Sequence, residues 1–353
     1  MLARTIYYSL KPVIPTRVQT SLRKYLVKKK LNRCAGSWPI DILAGAKPKN
    51  WGGWPEGKQF ALVLTHDVET LHGFYKTHAL MKLEQDLGFH SSFNFVPERC
   101  DLSERYKVSA EILEYLNVNG FEVGVHGLKH DGKLYSSRKA FKHRAKRINH
   151  YLSEWGAVGF RSPAMHHNLK WLHDLHIEYD LSTFDTDPFE PQPEGMRTIF
   201  PFTVDRNPRK KPYVEMPYTL PQDSTLFLFM GHTNCDIWKE KLEWIVEKGG
   251  MALLNTHPDY MNFTDRNHYM KQYPSSIYED FLRHVQKEYA GLYWHALPRD
   301  VARFWRVRQS LNAAEPETIK DKIRSVTDTC EYLGIVNNDQ EVESEVNAKE
   351  SIG

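Results

Sequence analysis

An α/β fold with a mainly parallel sheet, open or closed into a barrel, is what this sequence of 353 residues predicts. Three observations carry that reading. Strand-like and helix-like patterns alternate over about 250 residues. Most of the helical patterns stop at a glycine or a polar turn. The unusual polar residues fall at the C-terminal ends of the strand patterns, the face where parallel α/β folds place their sites.

The elements follow in order. QFALVLTHD (59–67) is an apolar run entered from Gly57 and predicts a buried strand. YKTHALMKLEQDLG (75–88) has helical spacing and closes on Gly88. HSSFNFVP (90–97) is a strand ended by Pro97, and VSAEILEYLNVNG (108–120) is a helix followed by strand FEVGVHG (121–127). A basic helix covers 136–155, VGFRSP (158–163) is a short strand, NLKWLHDLH (168–176) a short helix, and IEYDLSTF (177–184) the next strand. A proline-rich connector spans 187–212 and leads to the weaker strand pattern YVEMPY (213–218). Residues 236–248 are helical, GMALLNTHP (250–258) is a strand, 274–289 a helix, GLYWHAL (291–297) the last strand and 298–309 a closing helix. Trp51 and Trp54 lie in NWGGWP, a segment suited either to stacking on a sugar or to plugging the end of a barrel.

Charge divides the chain into three parts. The net charge is only +3, against a histone-like or acidic-tail protein, and nucleic acid is not an expected partner. Residues 1–50 nevertheless carry eleven basic residues and one acid, Asp41, while residues 311–353 carry four basic and ten acidic residues. The expected organisation is a basic extension over 1–57, a catalytic domain over 58–310 and an acidic, mobile tail over 311–353. Lys11, Pro12 and Pro15 interrupt any signal-peptide pattern, and no window of about 20 apolar residues predicts a membrane span. Cys34, Cys100, Cys235 and Cys330 are scattered, without a metal or disulfide spacing. A cytoplasmic protein is expected. Within 16–33, Val18, Leu22, Tyr25 and Leu26 recur at helical spacing among Arg17, Arg23, Lys24, Lys28, Lys29 and Lys30. Such a helix either lies on an anionic membrane or packs on the main domain with its charges solvated.

The chemistry-bearing residues gather on one face. Asp67 and Glu69 follow the first strand in T-H-D-V-E; His126 and His130 follow the third in H-G-L-K-H. Arg161 opens R-S-P-A, Asp185 and Asp187 follow the IEYDLSTF strand, and His257 stands in T-H-P. Each fragment alone is unspecific, since H-x-x-x-H pairs arise by chance and an isolated Asp is usually a cap or turn residue. Together they suit a metal hydrolase. Two imidazoles and a carboxylate form a three-ligand site with an open position. A second carboxylate can act as base and a further histidine as acid. Arg161 is placed to orient the base by a bidentate contact.

In this order the motifs resemble those of the polysaccharide deacetylases, carbohydrate esterase family 4 with its NodB-type domain, over about residues 58–300. The family pattern T-F-D-D corresponds to Thr65–Glu69, H-[ST]-x-x-H to His126–His130, R-x-P-Y to Arg161–Ala164, the acidic motif to Asp185–Asp187 without its usual Trp, and L-x-H to the end of Leu254–His257. The resemblance implies a distorted (β/α)₇ barrel. It implies Asp67 as base, His257 as acid, Arg161 and Asp185 as further catalytic residues, and a backbone N–H at Ala164 facing the oxyanion. His166, just after the Arg161 motif, is placed either to touch substrate or to serve as a loop residue. Val68 stands where the family has its metal-binding Asp and cannot coordinate. Two assignments follow: Glu69, His126 and His130 bind metal with Asp67 as base, or Asp67 binds metal and Glu69 or a water chain is the base. Gly127 replaces a hydroxyl residue, and Ala164 removes an aromatic wall. The expected cofactor is a divalent metal, Zn first, with Co, Ni, Fe and Mn compatible. The expected activity is removal of an N-acetyl group from a lipid-linked, nucleotide-linked or polymeric saccharide. The alternatives are a saccharide-binding scaffold that has lost its metal, and a deformylase or other non-peptide amidohydrolase.

Overall fold

Strand β1 (Phe60–Val68) is buried at every position, and the sheet grows outward from both of its sides. The computed structural model describes residues 16–31, 33–34, 36–98, 108–205, 210–264 and 272–312. The acidic segment from 313 onward, and Cys100 and Cys330, lie outside the described residues. On one side of β1 its C-terminal half pairs in parallel with β2 (Ser92–Phe95). From there β3 (Glu122–His126), β4 (Gly159–Arg161), β5 (Tyr179–Asp180) and β7 (Tyr213–Glu215) continue in parallel. β6 (Phe202–Val204) adds an antiparallel edge to β7. On the other side β8 (Met251–Thr256) pairs with β1 in parallel, with Thr65 opposite Asn255.

The sheet curls back on itself. Beyond β7 the chain runs to Leu220, which bridges in parallel to Leu254 of β8. The N–H groups of Thr219 and Leu220 both donate to the Leu253 carbonyl. Seven parallel strands, β1 to β5, β7 and β8, therefore form a distorted (β/α)₇ barrel, the form implied by the motifs. Two short parallel strands, β9 (Met261–Asn262) and β10 (Tyr273–Pro274), pair apart from it. β11 (Tyr293–His295) pairs with the entry of β1 at Phe60–Leu62.

The helices form where the apolar spacing places them. They are α1 (Thr16–Leu31), α2 (Leu71–Asp86), α3 (Ala110–Val118), α4 (Arg138–Glu154), α5 (Leu169–Leu172), α6 (Asp236–Lys248), α7 (Ser276–Tyr289) and α8 (Pro298–Asn312). Side chains of Thr70, Ser109, Ser137 and Asn168 accept from the first-turn N–H groups of α2 to α5, giving each a defined start. On basic α4, Phe141, Ala145, Ile148 and Leu152 repeat at three- and four-residue spacing and form its buried face, leaving the lysines outward. Two features differ from the sequence reading. β6 arises inside the proline-rich connector, where a three-residue, half-exposed edge strand leaves no alternation to read. A π-helical turn spans Ser224–Met230, a seven-residue piece that periodicity does not reveal.

Trp51 and Trp54 plug the barrel end that holds the strand entries. Trp54 is buried, donates from Nε1 to the Gly249 carbonyl at 3.0 Å, and meets Trp51 edge-on at 4.9 Å. Trp51 also packs on Phe200 and Trp305. The opposite end, where the strands leave, is therefore the open one.

Two glycines shape that open end. Gly127 has φ +65°, and a Cβ there would meet the Pro163 ring, so the hydroxyl residue of the family pattern has no room. At Gly124 of β3 an added Cβ would meet Oδ1 of Asn94, whose Nδ2 donates to Asp67 at 3.1 Å. Gly124→Ala should therefore push Asn94 away from Asp67 and cost about 1–3 kcal/mol. Denaturant melts of the variant test this, and an unchanged midpoint would show that Asn94 can shift at no cost.

Candidate active site

At the open end, β1, β3 and β8 carry their polar residues toward a single cavity of about 670 Å³. Asp67, Glu69, His126, His130 and His257 all line it, together with Ala164, Tyr260 and Glu190. Strand parity explains the pairing of the two acids. Residues 67 and 69 are two apart and point to the same side, whereas Val68 points away into the core at 2% exposure.

Asp67 is anchored by three donors. Asn94 Nδ2 and Arg161 Nη1 each reach Oδ1 at 3.1 Å, and Asn255 Nδ2 reaches Oδ2 at 3.0 Å. Burial disfavours its charge, but Arg161, His126 and His257 outweigh this and lower its pKa to about 2. The Arg161 contact to Asp67 is single, not the bidentate one expected. The other guanidinium donors go to Asn255 Oδ1, to Thr65 Oγ1 at 3.0 Å and to the Leu181 carbonyl at 3.0 Å. Arg161 is fully buried behind Asp67 and does not line the cavity.

Glu69 faces the histidines. Its Oε1 lies 3.0 Å from His130 Nε2, 3.8 Å from His126 Nε2 and 3.9 Å from His257 Nε2. Burial raises its pKa, but the neighbouring histidines, His130 first, hold the carboxyl well below its ordinary value. One ligand atom from each of Glu69, His126 and His130 falls within 4.8 Å of the others. His126 is 1% exposed, and neither ring nitrogen has a hydrogen-bond partner. A buried imidazole without hydrogen bonds is costly unless something else occupies its lone pair. With one carboxylate and two imidazoles converging there, the donor set fits a divalent metal.

His257 is set by a different carboxylate. Its Nδ1 lies 2.7 Å from Asp223 Oδ1, and its backbone N–H donates to Oδ2 at 2.8 Å. Tyr273 donates to the same oxygen at 3.0 Å. Burial works against the imidazolium, but Asp223, its hydrogen bond, Glu69 and Asp67 raise His257 to about 10. Nε2 is left toward the cavity. Asp259 braces the loop carrying Glu69, accepting from the Glu69 N–H at 3.0 Å and from the Thr70 hydroxyl. Ala164 and Met165 both have positive φ, +53° and +51°, a strained turn that places Ala164 on the cavity wall.

Two predicted site residues are placed elsewhere. His166 is 2% exposed and does not line the cavity. Asp185 is fully buried against Lys241, whose Nζ is 2.8 Å from Oδ2. From the same acidic motif, Asp187 accepts from Tyr218 at 2.7 Å, and Tyr218 also meets Glu190 on the cavity wall at 3.2 Å. Burial and then Asp187 push the Glu190 pKa up. Asn94, Asn255, Asp259 and Glu190 are not singled out by their sequence context. Asp223 follows Pro221-Gln222 just before the apolar run STLFLFM, the one local hint of a fixed polar anchor.

Among solved structures, the chain matches a protein described as a polysaccharide deacetylase from Mycobacterium smegmatis. The match covers 74% of this chain and 96% of that one, with TM-score 0.54 and 16% identity. It also matches PuuE allantoinase over 76% of this chain and 97% of that one, with TM-score 0.54 and 15% identity. At such identities the shared property is the fold, which is that of the polysaccharide deacetylases, as the motifs implied. No protein-family model and no curated protein matches the sequence.

The Lys241–Asp185 pair gives a test of what Asp185 does. Burial lifts its carboxyl to about 6 even beside Lys241, so the folded state holds that proton more tightly than the unfolded chain. Its contribution to stability therefore falls as pH rises from about 4 to about 6. Lys241→Met should cost about 3–5 kcal/mol at neutral pH by leaving the carboxylate unpaired. The loss should shrink near pH 5, where Asp185 takes up its proton, and Asp185→Asn should restore much of it at neutral pH. Calorimetry at both pH values reads the effect, and a pH-independent loss would contradict it.

Proposed function

We propose that this chain is a metal-dependent hydrolase that removes an N-acetyl group from a saccharide. The observation that carries the reading is the meeting, in one cavity, of Glu69, His126 and His130 with a separately anchored carboxylate, Asp67, and a separately anchored histidine, His257. The fold shared with a protein described as a deacetylase supports it.

In this reading Glu69, His126 and His130 hold the divalent metal, with zinc the first candidate for such a donor set. Bound there, the ion supplies a Lewis acid and an acidified water. Asp67 is the base. Its donors Arg161, Asn94 and Asn255 keep it ionised and aimed into the cavity. Arg161 is a positioning residue, acting through Asp67. His257 carries the proton for the departing amine on Nε2, and Asp223 holds its ring and favours the imidazolium. The Ala164 N–H is the proposed donor to the developing oxyanion, a function that survives the loss of a side chain because it belongs to the backbone. A second reading keeps the same residues and changes the amide, as a deformylase or ring-opening amidohydrolase; the fold shared with an allantoinase favours it.

Acetate release from N-acetylglucosamine oligosaccharides by the zinc-loaded protein tests the first reading. Chelator and His126→Ala should each abolish release. Asp67→Asn should keep the metal, measured by mass spectrometry, and lose about 10²–10⁴-fold in kcat/KM. Glu69→Ala should lose the metal itself. Release unaffected by chelator, or metal retained by Glu69→Ala and lost by Asp67→Asn, would overturn the respective assignments.

A further inference from the structure

Helix α1 belongs to the wall of the candidate active site, which its position in the sequence does not suggest. Leu22, Arg23, Leu26, Val27 and Lys30 line the same cavity as Asp67 and His257. The helix packs on the π-helical turn Ser224–Met230. Arg23 lies over the Phe229 ring at 5.3 Å, and Lys30 Nζ donates to the Pro188 carbonyl at 2.7 Å. Val27 is its buried contact, at 8% exposure. On this side Leu22, Leu26, Val27, Phe189 and Phe229 give the cavity an apolar stretch, with Arg23 and Lys30 beside it, while its floor is the charged cluster.

The other side of α1 is unlike an ordinary solvated face. At 100° per residue, Val18, Tyr25 and Lys29 lie opposite Val27. Val18 is 53% and Tyr25 63% exposed, with Leu22 beside them at 44%. Lys24, Lys28 and Lys29 are exposed around these apolar groups, and the helix contains no acidic residue. Exposed aromatic and aliphatic side chains flanked by unopposed lysines complement a surface that is both anionic and apolar just below. An anionic bilayer has that layering, whereas an acidic protein surface offers only the charge.

We infer that α1 docks the protein on an anionic membrane through Val18, Leu22, Tyr25 and the lysines around them, while its inner side forms the apolar wall of the catalytic cavity. One helix then touches both lipid and substrate. The substrate class follows, resting on the proposed deacetylase reading: a saccharide carried on a lipid, its sugar reaching the charged floor while its apolar portion passes along Leu22, Leu26 and Phe229.

Flotation of the full chain with vesicles tests the docking without reference to activity. The protein should float with phosphatidylglycerol vesicles and not with pure phosphatidylcholine. Lys24→Glu/Lys28→Glu/Lys29→Glu should weaken partition about a hundredfold, and the corresponding three Lys→Arg changes should leave it intact. Val18→Ser/Tyr25→Ser should weaken it with the charge unchanged. None of these residues lines the cavity, so turnover of a water-soluble acetylated oligosaccharide should be unaltered. Turnover of an N-acetylglucosaminyl lipid in the same vesicles should fall with partition. Equal flotation with both lipids, or none, overturns the docking. A lipid-free dimer that the substitutions dissolve assigns the face to a second copy and also overturns it. Selective flotation without turnover of any acetylated saccharide leaves α1 a membrane element and removes the deacetylase reading.

Discussion

The buried guanidinium of Arg161 is the constraint around which the rest of this barrel is arranged. A charge at 0% exposure is tolerable only if its N–H groups find acceptors and a counter-charge is close. The acceptors come from separate parts of the barrel: Thr65 and Asp67 on β1, Asn255 on β8, and the Leu181 carbonyl just beyond β5. The β1–β8 register that sets Thr65 opposite Asn255 is therefore also the register that completes the Arg161 shell. A slip of one residue would turn Thr65 and Asp67 outward and strand the guanidinium. Barrel register and position of the candidate base are one requirement.

That requirement separates the two carboxylates of the site. Asp67 spends its oxygens on Asn94, Arg161 and Asn255, which keep it ionised and fix its direction. Glu69 has no such cage and turns to His130 and His126. His257 is drawn from the same cluster by Asp223, whose oxygens also accept from its backbone N–H and from Tyr273. His257, Asp67 and the Glu69–histidine cluster are thus kept distinct within one cavity because each is held by different partners. The environments push the pKa values of Asp67 and His257 in opposite directions, to about 2 and about 10, so at neutral pH the carboxylate is ionised and the imidazole protonated.

The parts of this arrangement that could be read from the chain are those encoded locally. Strand runs, caps and glycine stops fix the alternation, and residues at strand exits, such as Asp67, His126 and His257, announce themselves by breaking an apolar run. The supporting residues do not. Asn94 and Asn255 are ordinary polar positions inside strands until the register brings them to Asp67. Asp185 illustrates the reverse error of local reading. It has the expected spacing after its strand, yet it is paired with Lys241, 56 residues away on α6, where its burial is met by an ion pair. The helical pattern of α1 was equally legible, but its place over the cavity depends on contacts with Phe229 and Pro188, far along the chain. His166 follows the Arg161 motif closely in the chain, yet it is 2% exposed and does not line the cavity.

The valine at position 68 is best understood through strand parity. Consecutive residues at the end of β1 cannot both face the cavity while the strand remains extended. In this chain the strand continues through Val68, which fills the core beside the helices, so a second inward-facing acid can only come at position 69. That position lies about 3.3 Å farther along the strand direction. A Glu has the extra methylene to bring its carboxylate back toward His126 and His130, where its Oε1 is found. The loop must be held for this to work, and Asp259 does so by accepting from the Glu69 backbone and the Thr70 hydroxyl. The acid at position 69, its extra methylene and the brace from the loop after β8 together keep a carboxylate beside the histidine pair.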